Sequence, residues 1–146
     1  TYIDQHGKKV RPVMLHRAIF GSMERFIGIL TEHFAGAFPL WLAPEQMVIL
    51  PVNNEYHQSY AKKLTRRLIK LGYRVKLDDA NEKLGYRLRN AQMAKVPFTL
   101  VIGDKEKDEN LVTYRRYGTS EQITVTTKAF ISLLAKEIKN KTTYIK

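Results

Sequence analysis

The chain has 146 residues, 44% of them hydrophobic, with four histidines and no cysteine. That size gives one ordinary domain, or one domain and a piece of another, with enough apolar content for a real core, so a disordered tail is excluded. A disulfide framework, a thiolate metal site and a thiol nucleophile within this chain are excluded as well. Lys and Arg number 25 against 14 Asp and Glu, a net charge of +11, which favours a polyanionic partner, nucleic acid first, through counterion release and steering. A basic surface that only keeps a protein soluble is the competing account. The excess is uneven: residues 1–42 carry 5 basic and 3 acidic side chains, net +2, and residues 43–146 carry 20 and 11, net +9. No apolar run approaches about 18 residues and no signal-peptide pattern opens the chain. The expectation is a soluble, cytoplasmic protein with no membrane partner.

Residues 1–9 are polar and without period, which predicts a flexible end. From Val10 to Phe20 the chain alternates, with Val13, Leu15, Arg17 and Ile19 on one side and Met14, His16, Ala18 and Phe20 on the other, and this predicts a strand. Gly21-Ser22 then supplies a turn and an N-cap, Glu24 suits the helix dipole, and Met23, Phe26, Ile27, Leu30 and Phe34 form an apolar stripe, so a helix is expected over roughly Met23 to His33. Gly36, Pro39 and Pro44 break the next segment, and a domain boundary is expected near Leu42, leaving 1–42 and 43–146.

Met47-Val48-Ile49-Leu50 reads as a central strand covered on both faces. After the loop residues Asn53, Asn54 and Glu55, Tyr60, Ala61, Leu64, Leu68 and Leu71 mark one helical face and Lys62, Lys63, Arg66, Arg67 and Lys70 the other, with Gly72 at C′. That basic face is expected to be solvated. A strand at Arg74–Leu77, a helix at Leu84–Ala94 with Leu84, Leu88 and Ala91 at i, i+4, i+7, and a strand at Phe98–Ile102 complete a βαβαβ series. Asp104–Asn110 reads as a charged hairpin-like turn into Leu111–Tyr117, an antiparallel addition. A short strand at Ile123–Val125 follows, then a closing helix on Phe130, Leu133, Leu134 and Ile138, and a basic tail that frays from Lys139. The fold class is α/β: a mixed, mainly parallel five-stranded sheet flanked by about three helices, preceded by a strand and helix of another domain.

Two polar loops, Asp78–Lys83 and Gly103–Glu106, leave strands at what should be one carboxyl edge. In a parallel sheet that edge is where ligands sit, and it is the expected main binding site. No Gly-rich phosphate loop, Gly-x-Ser-x-Gly elbow or His-Glu-x-x-His occurs. His6, His33 and His57 read as surface histidines, and His16 lies in the expected strand.

The run Pro12-Val13-Met14-Leu15-His16-Arg17-Ala18-Ile19-Phe20-Gly21-Ser22-Met23-Glu24-Arg25-Phe26 resembles the third signature motif of class II aminoacyl-tRNA synthetases, specifically that of the threonyl-tRNA synthetase family. Its junction Trp-Leu-Ala-Pro stands at Trp41–Pro44, and the Asn-Glu-Lys-x-Gly and Gly-Asp-Lys-Glu segments of its anticodon-binding domain stand at Asn81–Gly85 and Gly103–Glu106. The resemblance runs from about Val10 to Ile138. It implies the end of an antiparallel catalytic domain (1–42) followed by an anticodon-binding domain (43–146), the C-terminal part of a ligase that attaches threonine to tRNA with ATP and Mg²⁺.

By that resemblance His16 is one of three protein ligands of a zinc ion, the other two lying earlier in the family's chain, and the open zinc positions take the amino and hydroxyl groups of threonine. Arg25, with Ser22 beside it, contacts ATP. Asn81, Glu106 and Arg115 match the residues that read the threonine anticodon: an amide pairs with base edges in two directions, a carboxylate accepts from amino and ring N–H groups, and an arginine binds guanine or stacks. Taken singly, Asn81 can be an N-cap for the Leu84 helix, Glu106 a turn residue and Arg115 a strand-surface cation. The partner implied is threonine tRNA through its anticodon loop. The intact enzyme is a homodimer holding zinc and ATP, whereas this stretch alone is expected to be inactive, monomeric and without tightly bound cofactor. A stand-alone RNA-binding or accessory subunit is the alternative.

Overall fold

Residues 1–143 are described by the computed structural model, and they fall into two units, Thr1–Leu30 and Thr31–Lys146. In the first, β1 (Tyr2–Ile3) and β2 (Lys9–Val10) pair antiparallel, Tyr2 opposite Val10. The turn between them is tied by Asp4, whose Oδ1 accepts the His6 and Lys8 N–H groups at 2.8 and 2.9 Å. The end expected to be flexible therefore forms a small hairpin. The strand expected over Val10–Phe20 does not form past Val10, and residues 11–18 have no regular structure. Val13 and Leu15 are 88% and 91% exposed. Alternation records a sequence suited to a sheet, but a strand exists only where neighbours pair its N–H and C=O groups and cover its apolar side. The helix α1 (Met23–His33) forms as expected, with Ser22 Oγ accepting the Arg25 N–H at 3.2 Å as its N-cap and Phe20 stacked on Phe26.

The second unit contains β3 (Met47–Pro51), α2 (Asn54–Lys70), β4 (Val75–Leu77), α3 (Leu84–Met93), β5 (Phe98–Ile102), α4 (Asp104–Glu109), β6 (Leu111–Arg116), β7 (Gln122–Thr126) and α5 (Thr127–Lys139). The strand order is β4-β3-β5-β6-β7. β3 pairs parallel with β4 and β5, whereas β5–β6 and β6–β7 are antiparallel, so the sheet is evenly mixed. The charged turn expected at Asp104–Asn110 is instead the short helix α4, closed by Asn110 in the left-handed conformation at φ 56°. Gly72 stands at C′ of α2 with φ +89°, a conformation that a side chain would strain. Leu40, ahead of the first strand of the sheet, is buried in its core, and its carbonyl accepts from Gln46 Nε2 at 2.9 Å.

The chain leaves β3 for β4 on one side and returns across β3 to β5 on the other. Right-handed crossovers of opposite direction put their helices on opposite faces. Accordingly α2, joined by α5, packs Ala61, Leu64, Leu68, Phe130 and Leu134 on the face of Met47, Ile49, Phe98 and Leu100, whereas α3 packs Ala91 on the face of Val48 and Leu50. All five residues of β3 are buried, as expected for a strand covered on both sides. α5 is tied to β6 by the ion pair of Glu137 with Arg116, whose guanidinium lies over the Phe98 ring. Fraying from Lys139 is not observed through residue 143: Asn140 caps α5 and the Thr142 N–H bonds back to Glu137 O. The last three residues of that tail, 144–146, lie outside the described residues. Among the described residues no helix is long and apolar enough to cross a membrane.

Backbone protection follows from this pairing. The Leu15 amide, in an exposed segment without regular structure, should exchange at least about a thousandfold faster than that of Val101, inside a strand paired on both sides. Amide hydrogen exchange of the whole chain measures this. Equal protection at the two sites would mean that residues 11–18 are paired after all.

Candidate nucleic-acid interface

The carboxyl ends of β3, β4 and β5 lie side by side and are tied by two side chains. Arg87 of α3, only 3% exposed, donates from Nη1 to Pro51 O at 3.0 Å and from Nη2 to Asp78 O, with its Nε 3.5 Å from the Asp78 carboxylate. It satisfies the carbonyls that end β3 and follow β4. His57, 4% exposed in the first turns of α2, accepts the Asn53 N–H at Nδ1 at 3.1 Å. Its ring hydrogen is therefore on Nε2, which donates to Asp104 Oδ1 at 3.0 Å and braces the loop after β3 against the start of α4. Asn53 Oδ1 in turn caps α2 through the Glu55 N–H at 2.7 Å.

Glu106 sits in this brace. Its Oε2 accepts the Gly103 N–H at 2.8 Å and its Oε1 accepts from Thr113 Oγ1, which is 2.7 Å from Thr124 Oγ1. Since Thr113 spends its hydrogen on the carboxylate, Thr124 donates to Thr113, and the two hydroxyls form a directed chain ending on Glu106. Partial burial raises the Glu106 pKa, but the bonds from Thr113 and Gly103 and the charge of Lys105 outweigh it and hold the carboxyl below the 4.5 of an ordinary glutamate. The group is a fixed, acceptor-only carboxylate at neutral pH. Gly103 matters by its closeness: a Cβ there would lie 3.3 Å from Glu106 Oε2.

Arg115 is two residues beyond Thr113 on the same side of β6, because Val112 and Tyr114 are buried on the other. Its Nε donates to Thr119 O, which aims the guanidinium and leaves both Nη groups without a partner among the described residues. Across the ladder Arg115 pairs with Thr99 and Gln122, and Thr113 with Val101 and Thr124. Gln122 and Thr124 are exposed, and Thr99 Oγ1 is buried without a hydrogen-bond partner. α3 covers the β3 part of this face and the β5 residue Thr99 is buried, so the polar surface that solvent reaches beside the carboxyl edge is the β6–β7 part, with Thr113 and Arg115 half-buried and Gln122 and Thr124 exposed.

The residues expected to bind therefore meet only in part. Glu106 and Arg115 share this surface, although Arg115, opposite Thr99, lies toward the far end of β5 from the carboxyl edge. Asn81 is exposed in the loop after β4, and it does not cap α3, whose N-cap is Lys83. His16, Ser22 and Arg25 belong to the first unit, where all three are exposed. Among the described residues no three His, Cys, Asp or Glu side chains gather into a metal-binding group, so His16 and its surroundings in this chain do not by themselves fit a zinc ion.

Residues 46–137 match the family model described as the anticodon binding domain. The chain belongs to the anticodon-binding domain family. It is 51% identical over 140 residues to threonine–tRNA ligase from Lactobacillus acidophilus, covering 96% of this chain and 22% of that protein. It is 50% identical over 141 residues to threonine–tRNA ligase from Staphylococcus aureus, covering 97% and 22%. It thus spans about a fifth of the curated relatives it matches. Among solved structures it resembles the RNA binding domain of threonyl-tRNA synthetase from Cryptosporidium parvum Iowa II, with a TM-score of 0.75 and 30% identity, covering 80% of this chain and 29% of that one.

Two structural residues of this anticodon-binding domain escape a reading by residue type. His57 is buried, not the surface histidine expected, and Arg87 is buried as well. Helical phase carries the signal for both: His57 precedes Ala61 and Leu64 by four and seven, and Arg87 follows Leu84 by three and precedes Ala91 by four, so each lies on an apolar stripe.

Thr113→Val should move the Glu106 titration up toward 4.5, read by carboxyl carbon NMR, because it removes a bond made to the charged form. With a folded pKa below the unfolded one, the Glu106 contribution to stability is present above about pH 4.5 and lost as pH falls through the folded value. Glu106→Gln should therefore cost about 1 kcal/mol at pH 7 and nothing in strong acid, by denaturant unfolding at both pH values. A pH-independent loss would mean that Glu106 acts by packing alone.

Proposed function

We propose that this chain reads the anticodon of threonine tRNA, as the anticodon-binding part of a threonine–tRNA ligase acting in the cytoplasm. The observation that carries this reading is the pairing, on one open polar sheet face, of a carboxylate fixed as an acceptor and an arginine with free Nη donors. Unpaired loop bases expose Watson–Crick and Hoogsteen edges, for which a carboxylate and a guanidinium are complementary partners. Asn81 supplies a third, two-way amide from the loop after β4. Relatives near 50% identity that carry the ligase name support the choice of threonine tRNA. In the whole ligase ATP powers the activation of threonine, and Arg25 is the contact this chain would offer it. Its guanidinium is exposed in the first turn of α1, behind the Ser22 cap, with no partner among the described residues.

Arg115→Ala should cost about 1–3 kcal/mol against the cognate anticodon and flatten discrimination among anticodons. The measurement is a pair of titrations at one salt concentration, with threonine tRNA and with the same tRNA carrying a changed anticodon. Equal loss on both would reduce Arg115 to a backbone contact and remove the reading function from this face.

A further inference from the structure

The basic face of α2 is exposed, as expected, and it forms one wall of a groove. Lys62, Lys63, Arg66, Arg67 and Lys70 line a groove of about 1100 Å³, and Lys107 of α4 and Lys128 of α5 line it too. Seven cations from three separate helices converge there, no Asp or Glu is among the lining residues, and none of the seven forms a salt bridge among the described residues. Left alone, such an array repels itself, and that is the arrangement that gains most from a polyanion. Leu71 and Ile131 also line it, and lysine and arginine stems can lie against them while their heads reach a ligand. The α2 cations from Lys62 to Lys70 span about 12 Å at 1.5 Å per residue. Each strand of a nucleic-acid duplex carries about one phosphate per 3.4 Å of axis, so that length spans about three to four phosphates of one strand.

We propose that this groove is a second RNA site, which binds the phosphate backbone of duplex RNA without regard to sequence. It lies on the opposite face of the sheet from Glu106 and Arg115, since α2 and α5 cover the side of Val112 and Tyr114. It can therefore hold RNA whether or not the anticodon reading is correct. A concave site suits a rounded phosphate ridge better than a flat lipid surface. An acidic peptide is disfavoured because none of the groove's lining residues belongs to a strand that could pair with its backbone.

The test uses the full chain and a blunt RNA duplex with no loop. Lys63→Gln/Arg66→Gln/Arg67→Gln, three exposed helix positions given a good helix former, should weaken duplex binding about tenfold or more at low salt and lower the slope of log affinity against log salt by about two to three. Lys107→Gln/Lys128→Gln should weaken it in the same sense, because the site is shared by three helices. The control Lys8→Gln/Lys9→Gln/Arg11→Gln removes the same charge from the first unit and should change affinity by less than about twofold. Arg115→Ala should leave duplex binding unchanged, so failure here is distinct from failure of the anticodon reading. An equal loss in the control, or no loss in the Lys107/Lys128 variant, would overturn the groove as a site. Displacement of the duplex by poly-glutamate at equal charge concentration would overturn its assignment to RNA.

Discussion

The second unit depends on one constraint: β3 lies where the strand order reverses, and it is buried on both faces. A strand so placed must be covered twice, and the opposite crossovers through α2 and α3 do this. The reversal also gathers the carboxyl ends of three parallel strands, the place where α/β sheets bind ligands. α3 is ten residues long and covers only the β3 side of its face. Strands β6 and β7 extend the sheet beyond it. Their exposed side must be polar, and it is made of Thr113, Arg115, Gln122 and Thr124. The open face is thus a consequence of sheet topology.

That face is built for fixed contacts. The Glu106 carboxylate is held by a backbone N–H, a directed pair of hydroxyls and the close approach permitted by Gly103, and the loop behind it is braced by His57 and Asp104. Groups held in this way lose little freedom on binding, and side chains on strands and short helices are placed more firmly than side chains on loops. The opposite side of the sheet differs in kind. Its cations sit on flexible stems and form no salt bridge among the described residues, which suits attraction and not reading.

The sequence was legible wherever a local pattern carried its own physics. The apolar run Met47–Leu50, the stripe of α2, Gly72 and the strand at Phe98–Ile102 all stand where pattern places them. Glu106 and Arg115 stand out through family motifs, and the structure adds how Glu106 is held, namely by Gly103 and the Thr113–Thr124 pair, which residue type alone does not disclose. Non-local effects were hidden. The alternation of 10–20 could not report the absence of strand neighbours, and Asp104–Glu109 offered too few residues for periodicity to separate a short helix from a turn. The convergence of Lys107 and Lys128 on α2 is tertiary, so a helical face that reads as solvated became one wall of a groove.

The central claim is that the polar face of β6–β7, with the carboxyl edge beside it, is where a single-stranded anticodon loop is read. The most direct measurement is an amide NMR titration of the isotope-labelled chain with a short RNA hairpin carrying the threonine anticodon, at salt high enough to suppress backbone binding. The expected result is that shifts concentrate at Asn81, Glu106, Thr113, Arg115 and Thr124 and vanish when the anticodon bases are changed. Shifts confined to α2 and α5, or unchanged by the anticodon swap, would contradict the claim.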